Sequence, residues 1–162
     1  MWIARMYPCV EPNTCIISNG FASMGIALPG AIGAKLLYPD RRVLSINGDG
    51  GFLMNVQELE TAVRVKTPIV FMIWRDGGYG LIEWKQRIEF GRPSHVDFGN
   101  PDFVKLAESF GCGAARIESA DELRPALETA LASEIPFVLD VPVDYGENAR
   151  LTERLGKLVC PI

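Results

Sequence analysis

One histidine, His95, stands alone in 162 residues. With no second imidazole, Ser-His-Asp hydrolysis and histidine-based zinc chemistry are unsupported. A lone histidine in a loop is ordinarily a solvated polar side chain, and no catalytic role is assigned to it. Four cysteines (Cys9, Cys15, Cys112, Cys160) are widely spaced and form no C-x-x-C pair, which argues against a zinc site. No signal-peptide layout opens the chain, so a disulfide framework is not implied and a reduced, cytoplasmic setting is the default. There is no basic run, and the formal charge is −4, so a nucleic-acid binder is not expected. The longest apolar run, Ile69 to Trp74, is far too short to span a membrane. Internal repeats and low-complexity segments are absent.

What remains is ordinary for one globular domain: 48% hydrophobic and 22% charged residues. Strand-like and helix-like segments alternate. A short apolar strand is expected at Thr14–Ser18, then a helix over Met24–Leu37 with Pro29 near its start. Val43–Asn47 reads as a strand, Leu53–Val65 as an amphipathic helix, and Ile69–Trp74 as a central strand buried on both faces. Helices follow over Tyr79–Phe90 and Asp102–Phe110, with a Gly-, Pro-, Ser- and Asn-rich loop at Gly91–Pro101 between them. Ala114–Ile117 is a short strand. Ser119-x-x-Glu122 has the spacing of a capping box and opens a helix to Ala132. Phe137–Val143 is the last strand, and Asn148–Leu158 a terminal helix. The order predicts a doubly wound α/β domain with a mostly parallel sheet flanked by helices.

The most informative stretch is Ser45–Trp84. Two Gly-rich turns each carry one aspartate: Asp49 in Asn47-Gly48-Asp49-Gly50-Gly51 and Asp76 in Asp76-Gly77-Gly78. They are 27 positions apart, about one strand-helix-strand unit. Parallel strands would put both turns on one sheet edge, next to the amino end of the intervening helix, expected near Leu53. Two carboxylates beside anion-binding amides make sense if a hard cation joins them, and Mg²⁺ typically bridges carboxylates to phosphate oxygens. Turn aspartates that only cap are the commoner case. Gly48-Asp49-Gly50 does not extend to a dinucleotide fingerprint, because Leu53 falls where the third glycine is required, and there is no G-K-[ST] for a P-loop.

The spaced motif resembles the thiamine diphosphate fingerprint. The runs GDGGFLMNVQELETAVR and IVFMIWRDGGYGLI are similar to the carboxyl-terminal, diphosphate-binding domain of the acetolactate synthase family, from about Asn13 to Asp144. The resemblance implies that Asp49, Asp76 and the backbone carbonyl of Gly78 hold Mg²⁺. The family more commonly has asparagine at the second position. Aspartate there looks like the catabolic members, and the extra charge should tighten the site. Gly48, Gly50 and Gly51 would let the backbone approach the diphosphate, and Tyr79, Gly80, Leu81 and Ile82 would line the cofactor beyond the second turn. Gly20-Phe21-Ala22-Ser23-Met24-Gly25 is similar to the pyrimidine-side motif, with Gly20 in the loop, the Ala22 carbonyl accepting from the aminopyrimidine and Met24 wedged between the two rings. Read without the resemblance, Met24 is a gap-filling core methionine. Trp84 could sit over substrate or simply pack.

The activity so implied is decarboxylation of pyruvate and condensation of the hydroxyethyl unit with a second 2-oxo acid. The glutamate that serves the pyrimidine ring in the family belongs to a neighbouring subunit's pyrimidine-binding domain, so no catalytic residue is assigned in this chain. A homodimer or homotetramer is implied for the complete enzyme, with an apolar patch around Met24, Ile82 and Trp84 facing the partner. Family members have three domains, so residues 1–162 read as one domain of a longer chain, and 1–13 as an arm or linker. The rival readings are another thiamine diphosphate-dependent decarboxylase or carboligase, such as a glyoxylate or benzoylformate enzyme, and a binding module that has lost the chemistry. Intact Asp49, Asp76 and glycines argue against the latter.

Overall fold

A computed structural model describes residues 2–144 and Gly146. A short helix, α1 (Trp2–Met6), precedes an irregular stretch, and α2 (Ala27–Leu37) begins the regular structure. There follow β1 (Leu44–Gly48), α3 (Asp49–Leu53), α4 (Glu58–Arg64), β2 (Val70–Arg75), α5 (Gly80–Phe90), α6 (Phe103–Ser109), β3 (Gly113–Arg116), α7 (Ala120–Leu131) and β4 (Phe137–Pro142). The four strands form one sheet in the order β1-β2-β4-β3, every pair parallel. The chain steps outward from β1 to β2 to β3, then back to insert β4. A right-handed connection changes face when its direction reverses, and α7, on the returning connection, packs on the opposite face from the other core helices.

Alternation along the strands builds the two cores. Phe71 and Ile73 of β2 and Val138 of β4 face α2, α4 and α6, through Leu28, Ala31, Ile32, Leu59, Ala62, Phe103 and Ala107. Val70, Met72, Leu139 and Val141 face the other way, where Ala130, Leu123 and Leu127 of α7 cover them. Phe52 of α3 meets Phe103 of α6 edge to face at 5.6 Å, a contact worth about 0.5–1.5 kcal/mol beyond its area. One buried charge crosses the sheet. Asp140 of β4 accepts from Nε of Arg75 at 2.7 Å and from Nε of Arg116 at 2.9 Å, and Arg116 also donates through Nη2 to Asp102 at 2.9 Å.

Four expectations are corrected. Residues 14–18 form no strand: the segment lies on the surface with Ile16 exposed, and β1 is the outer strand of the sheet, with only β2 beside it. The first long helix starts at Ala27 instead of Met24, because Gly25 takes a positive φ of 87° that no helix accommodates. The helix expected at Leu53–Val65 is two short ones: α3 begins at Asp49, directly off β1, and turns at residues 54–57 separate it from α4. Ser119 precedes α7 but makes no side-chain cap. Glu122 instead accepts from the backbone N–H of Glu118 at 2.8 Å. Asp102 does cap α6, accepting from the N–H of Val104 and of Lys105. The expected helix at Asn148–Leu158 lies outside the described residues.

Candidate functional site

Gly48 is extended and Asp49 is the first residue of α3, so the Asp49 side chain is delivered at the carboxyl end of β1. Asp76 follows the last residue of the neighbouring β2. Parallel pairing of Gly48 with Trp74 therefore brings the two turns side by side. Asp49 is 1% exposed, and its charge is carried by a ring of donors. Oδ2 accepts from the N–H of Asp76 at 3.1 Å, the N–H of Gly77 at 2.7 Å and Nδ2 of Asn100 at 2.6 Å. Oδ1 accepts from the N–H of Gly50 at 2.9 Å. The Asp76 carboxyl is pushed up to about 6, first by partial burial, then by the charge of Asp49 and a hydrogen bond between the two carboxyls. Among the described residues the pair has no cationic partner.

Asn100 was not anticipated from sequence. Its Oδ1 is buried and, among the described residues, meets no hydrogen-bond donor, a condition that costs about 1–3 kcal/mol. The loop that carries it is pinned to the Asp76 turn. Phe98 N–H donates to the Gly77 carbonyl at 3.0 Å, and Tyr79 N–H donates to the Val96 carbonyl at 2.9 Å. Gly78 faces Asp97 in this bridge, and its carbonyl takes no part in either bond.

The glycines have distinct reasons. A Cβ on Gly50 would lie 2.8 Å from the Tyr79 ring and 3.1 Å from Phe98, two rings that pack on each other at 4.8 Å. Gly50 is therefore small because aromatic rings cover it, and its N–H already serves Asp49. Gly51 has open space apart from the Gly25 backbone nitrogen, 3.7 Å from where its Cβ would be. Gly48 and Gly20 have no neighbour within 4 Å of such a Cβ.

The loop at Gly25 lies beside the start of α3. Asn55 Nδ2 donates to the Gly25 carbonyl at 3.1 Å. Ser45 Oγ donates to the Ala27 carbonyl at 3.0 Å, and Asn47 Nδ2 donates to Ser45 Oγ at 2.9 Å, so buried polar residues of β1 fix the start of α2. Ala22 holds a φ of 51°, a left-handed conformation costing about 1–2 kcal/mol for a residue with a Cβ. Met24 is 44% exposed, so it is not the core methionine that its type alone suggests. Gly80, Leu81 and Ile82 form the first turn of α5, with Leu81 and Ile82 exposed and Trp84 half-buried. Phe21 is fully exposed, which adds to the apolar side chains on offer. Neither the hollow lined by Lys35, Arg42 and Pro68 nor the one lined by Gln86, Phe90 and Arg92 includes any of these residues. His95 pairs with Ser94 in an exposed loop.

Residues 1–141 match the family described as thiamine pyrophosphate enzyme, C-terminal TPP binding domain. The chain belongs to this family. It is 48% identical over 158 residues to an acetolactate synthase of Bacillus subtilis (strain 168), covering 97% of this chain and 28% of that protein. It is 44% identical over 155 residues to a catabolic acetolactate synthase of Raoultella terrigena, covering 96% of this chain and 28% of the relative. A solved structure, the thiamine diphosphate-dependent 4-hydroxybenzoylformate decarboxylase of Rhodococcus jostii RHA1, superposes with a TM-score of 0.72 at 33% identity, over 76% of this chain and 24% of that one. The chain thus spans about 28% of the length of these synthase relatives. No helix among the described residues is long and apolar enough to cross a membrane.

Thiamine pyrophosphate with a divalent cation can be tested against the residues present. Among the described residues no three His, Cys, Asp or Glu side chains gather as a metal cluster, so a cation here would need backbone oxygens besides the two aspartates. The uncompensated carboxyl pair, the unpaired Asn100 Oδ1 and the Gly78 carbonyl left outside its bridge form such an oxygen-rich set. Oxygen donors suit a hard cation, and the residues fit.

Proposed function

We propose that this chain is the diphosphate- and Mg²⁺-binding domain of an acetolactate synthase-like enzyme that decarboxylates pyruvate and condenses the two-carbon unit with a second 2-oxo acid. The observation that carries the reading is the Asp49–Asp76 pair, brought together at adjacent strand ends with no cationic side chain among the described residues to neutralise it. The similarity to acetolactate synthases supports the substrate class.

Asp49, Asp76 and the Gly78 carbonyl would hold the cation, which would supply positive charge for the diphosphate. Gly51 is the better candidate than Gly50 for a backbone approach to phosphate, since the Gly50 N–H is turned onto Asp49. Gly48, Tyr79 and Gly80 shape the turns around it. Gly20, Ala22 and Met24 form the pyrimidine side, held at the right distance through Gly25 and Asn55, and Leu81 and Ile82 line the far side. Bound thiamine diphosphate supplies the carbon centre at which 2-oxo acids are cleaved and joined. The exposed Met24 and Ile82 are then covered by the pyrimidine-binding domain of a neighbouring subunit, in a homodimer or homotetramer. Exposed apolar clusters of this kind mark interaction surfaces.

Asp49→Ala tests the site. Thiamine diphosphate titrated into the full-length enzyme with and without Mg²⁺ should show cation-dependent binding in wild type and none in the variant. Equal affinity in both would remove Asp49 from the site. Product analysis of the full-length enzyme separates the activities. Acetolactate from pyruvate supports the synthase. Aldehyde from an aromatic 2-oxo acid would move the reading to the decarboxylases, of which the Rhodococcus protein is an example.

A further inference from the structure

Two cysteines outside the candidate site are brought together by the fold. Cys9 and Cys15 are six positions apart and flank a turn that reverses the chain. Pro12 has a fixed φ. Asn13 takes a left-handed φ of 59°, a conformation that asparagine tolerates better than most residues. The Thr14 hydroxyl donates to the Glu11 carbonyl at 2.7 Å, and Nη2 of Arg41 donates to the Glu11 carboxylate at 2.6 Å, tying the turn to the loop between α2 and β1. The two thiols meet across the mouth of this turn. Burial first, then a hydrogen bond to Cys9 and the charge of Cys9, push the Cys15 thiol up. Both are free thiols, Cys9 exposed and Cys15 partly so.

We propose that Cys9 and Cys15 form a reversible thiol–disulfide site, closed by exchange with a small-molecule disulfide. The Cys9 thiolate attacks one sulfur of that disulfide, forms a mixed disulfide and releases one small thiolate. Cys15 then gives up its proton, and its sulfur attacks the Cys9 sulfur, which forms the Cys9–Cys15 bond and displaces the second small thiolate. Two protein thiols are oxidised, one small disulfide is reduced to two thiols, and the two protons end on those thiols. Cys9 acts first because it is the more exposed of the two and because Cys15 keeps its proton longer.

The turn supplies what exchange needs: access for the first attack and a second sulfur at hand for the next. Cys112, by contrast, is buried in the larger core. Residues 9–15 belong to no helix or strand, so drawing the sulfurs to the covalent distance of about 2.05 Å adjusts a loop and breaks no regular element. The spacing C-x₅-C is also why the pair was not legible in the sequence, where only C-x-x-C was diagnostic. Cys15 stands five residues before Gly20, where the loop assigned to the pyrimidine side begins. Closing the bond therefore shortens the irregular stretch that leads into that loop. The proposal does not rest on the cofactor reading.

The experiment equilibrates the full-length enzyme with mixtures of reduced and oxidised glutathione at mildly alkaline pH, quenches with acid and blocks the remaining thiols with N-ethylmaleimide. Tryptic mapping then reads the peptide between Arg5 and Lys35, which carries both cysteines. As the oxidised share rises, wild type should lose the block at Cys9 and at Cys15 together, and the peptide should be lighter than its dithiol by two hydrogens. A return to reduced glutathione should restore both thiols. Cys9→Ser and Cys15→Ser should each accumulate a glutathione adduct on the cysteine that is left. Circular dichroism of the oxidised and reduced forms checks that the bond closes in the folded protein. A persistent glutathione adduct on wild-type Cys9, a bond from either cysteine to Cys160 or to a second chain, or two thiols still blocked in the most oxidising mixture would overturn the proposal. So would an internal bond that forms only in urea.

Discussion

Asn55 donates its side-chain amide to the backbone carbonyl of Gly25 at 3.1 Å, joining two loops that are 30 residues apart. Gly25 sits at a φ of 87°, and a Cβ there would fall 2.7 Å from the Asn55 amide nitrogen. The turn before α2 is thereby held against the turn after α3, so the two halves of the candidate cofactor site share one joint.

That joint predicts an order of stabilities. Gly25→Ala combines backbone strain with a close contact and should destabilise the chain by about 1–3 kcal/mol. Asn55→Ala removes one hydrogen bond and should cost about 0.5–1.5 kcal/mol. Urea denaturation measures both, and a larger loss in Asn55→Ala than in Gly25→Ala would show that the loop is free to relax.

The rings over Gly50 give a second series. Gly50→Ala places a methyl against Tyr79 and Phe98, and overpacking of that kind costs about 1–3 kcal/mol. Gly51→Ala meets only the Gly25 nitrogen at 3.7 Å and should be close to neutral. Replacing the ring in the double variant Gly50→Ala/Tyr79→Leu should recover part of the loss. No recovery in the urea midpoint would place the strain elsewhere.

Asp76 should titrate near pH 6 in the chain without a divalent cation. The unfolded carboxyl returns toward 3.8, so folding favours its protonated form. This group therefore costs stability progressively as pH rises from about 4 to about 6. A bound cation favours the ionised form and should draw the midpoint downward. Carbon-13 NMR of the Asp76 carboxyl, with and without Mg²⁺ and thiamine diphosphate, reads both effects. A midpoint near 4 that ignores the cation would mean that the two carboxyls act independently.

Cys112 is buried in the larger core, and burial pushes its thiol up to about 11. At pH 8, iodoacetamide should label the exposed Cys9 and leave Cys112 unmodified until the chain unfolds. Because the unfolded thiol ionises near 9.0, this group withdraws stability as pH rises from about 9 to about 11. Peptide mapping by mass spectrometry gives the labelling directly.

What the sequence made legible was set by the range of each signal. The β2 strand was visible because Ile69–Trp74 is apolar throughout, as burial on both faces demands. Asp49 and Asp76 were visible because parallel pairing converts a 27-residue separation into adjacency. Thr14–Ser18 has an apolar centre, yet strand formation needs a neighbour, which local composition does not reveal. The break at residues 54–57 is a matter of how the Asn55 side chain reaches Gly25, again a distant partner. Asn100 was hidden most completely. In Phe98-Gly99-Asn100-Pro101 an asparagine looks like a turn residue, and only the fold shows it 51 residues from home against Asp49.

The buried Asp140 has a consequence for how the sheet assembles. β3 is an edge strand of four residues, Gly113–Arg116, made largely of small side chains. Arg116 pairs with Asp140 in the native alignment. Sliding β3 by one residue would turn Arg116 to the opposite face, stranding half of the buried carboxylate without its guanidinium. The bond to Asp140 therefore works as an index mark for the edge strand, and through Asp102 it ties that strand to the helix that follows the Asn100 loop.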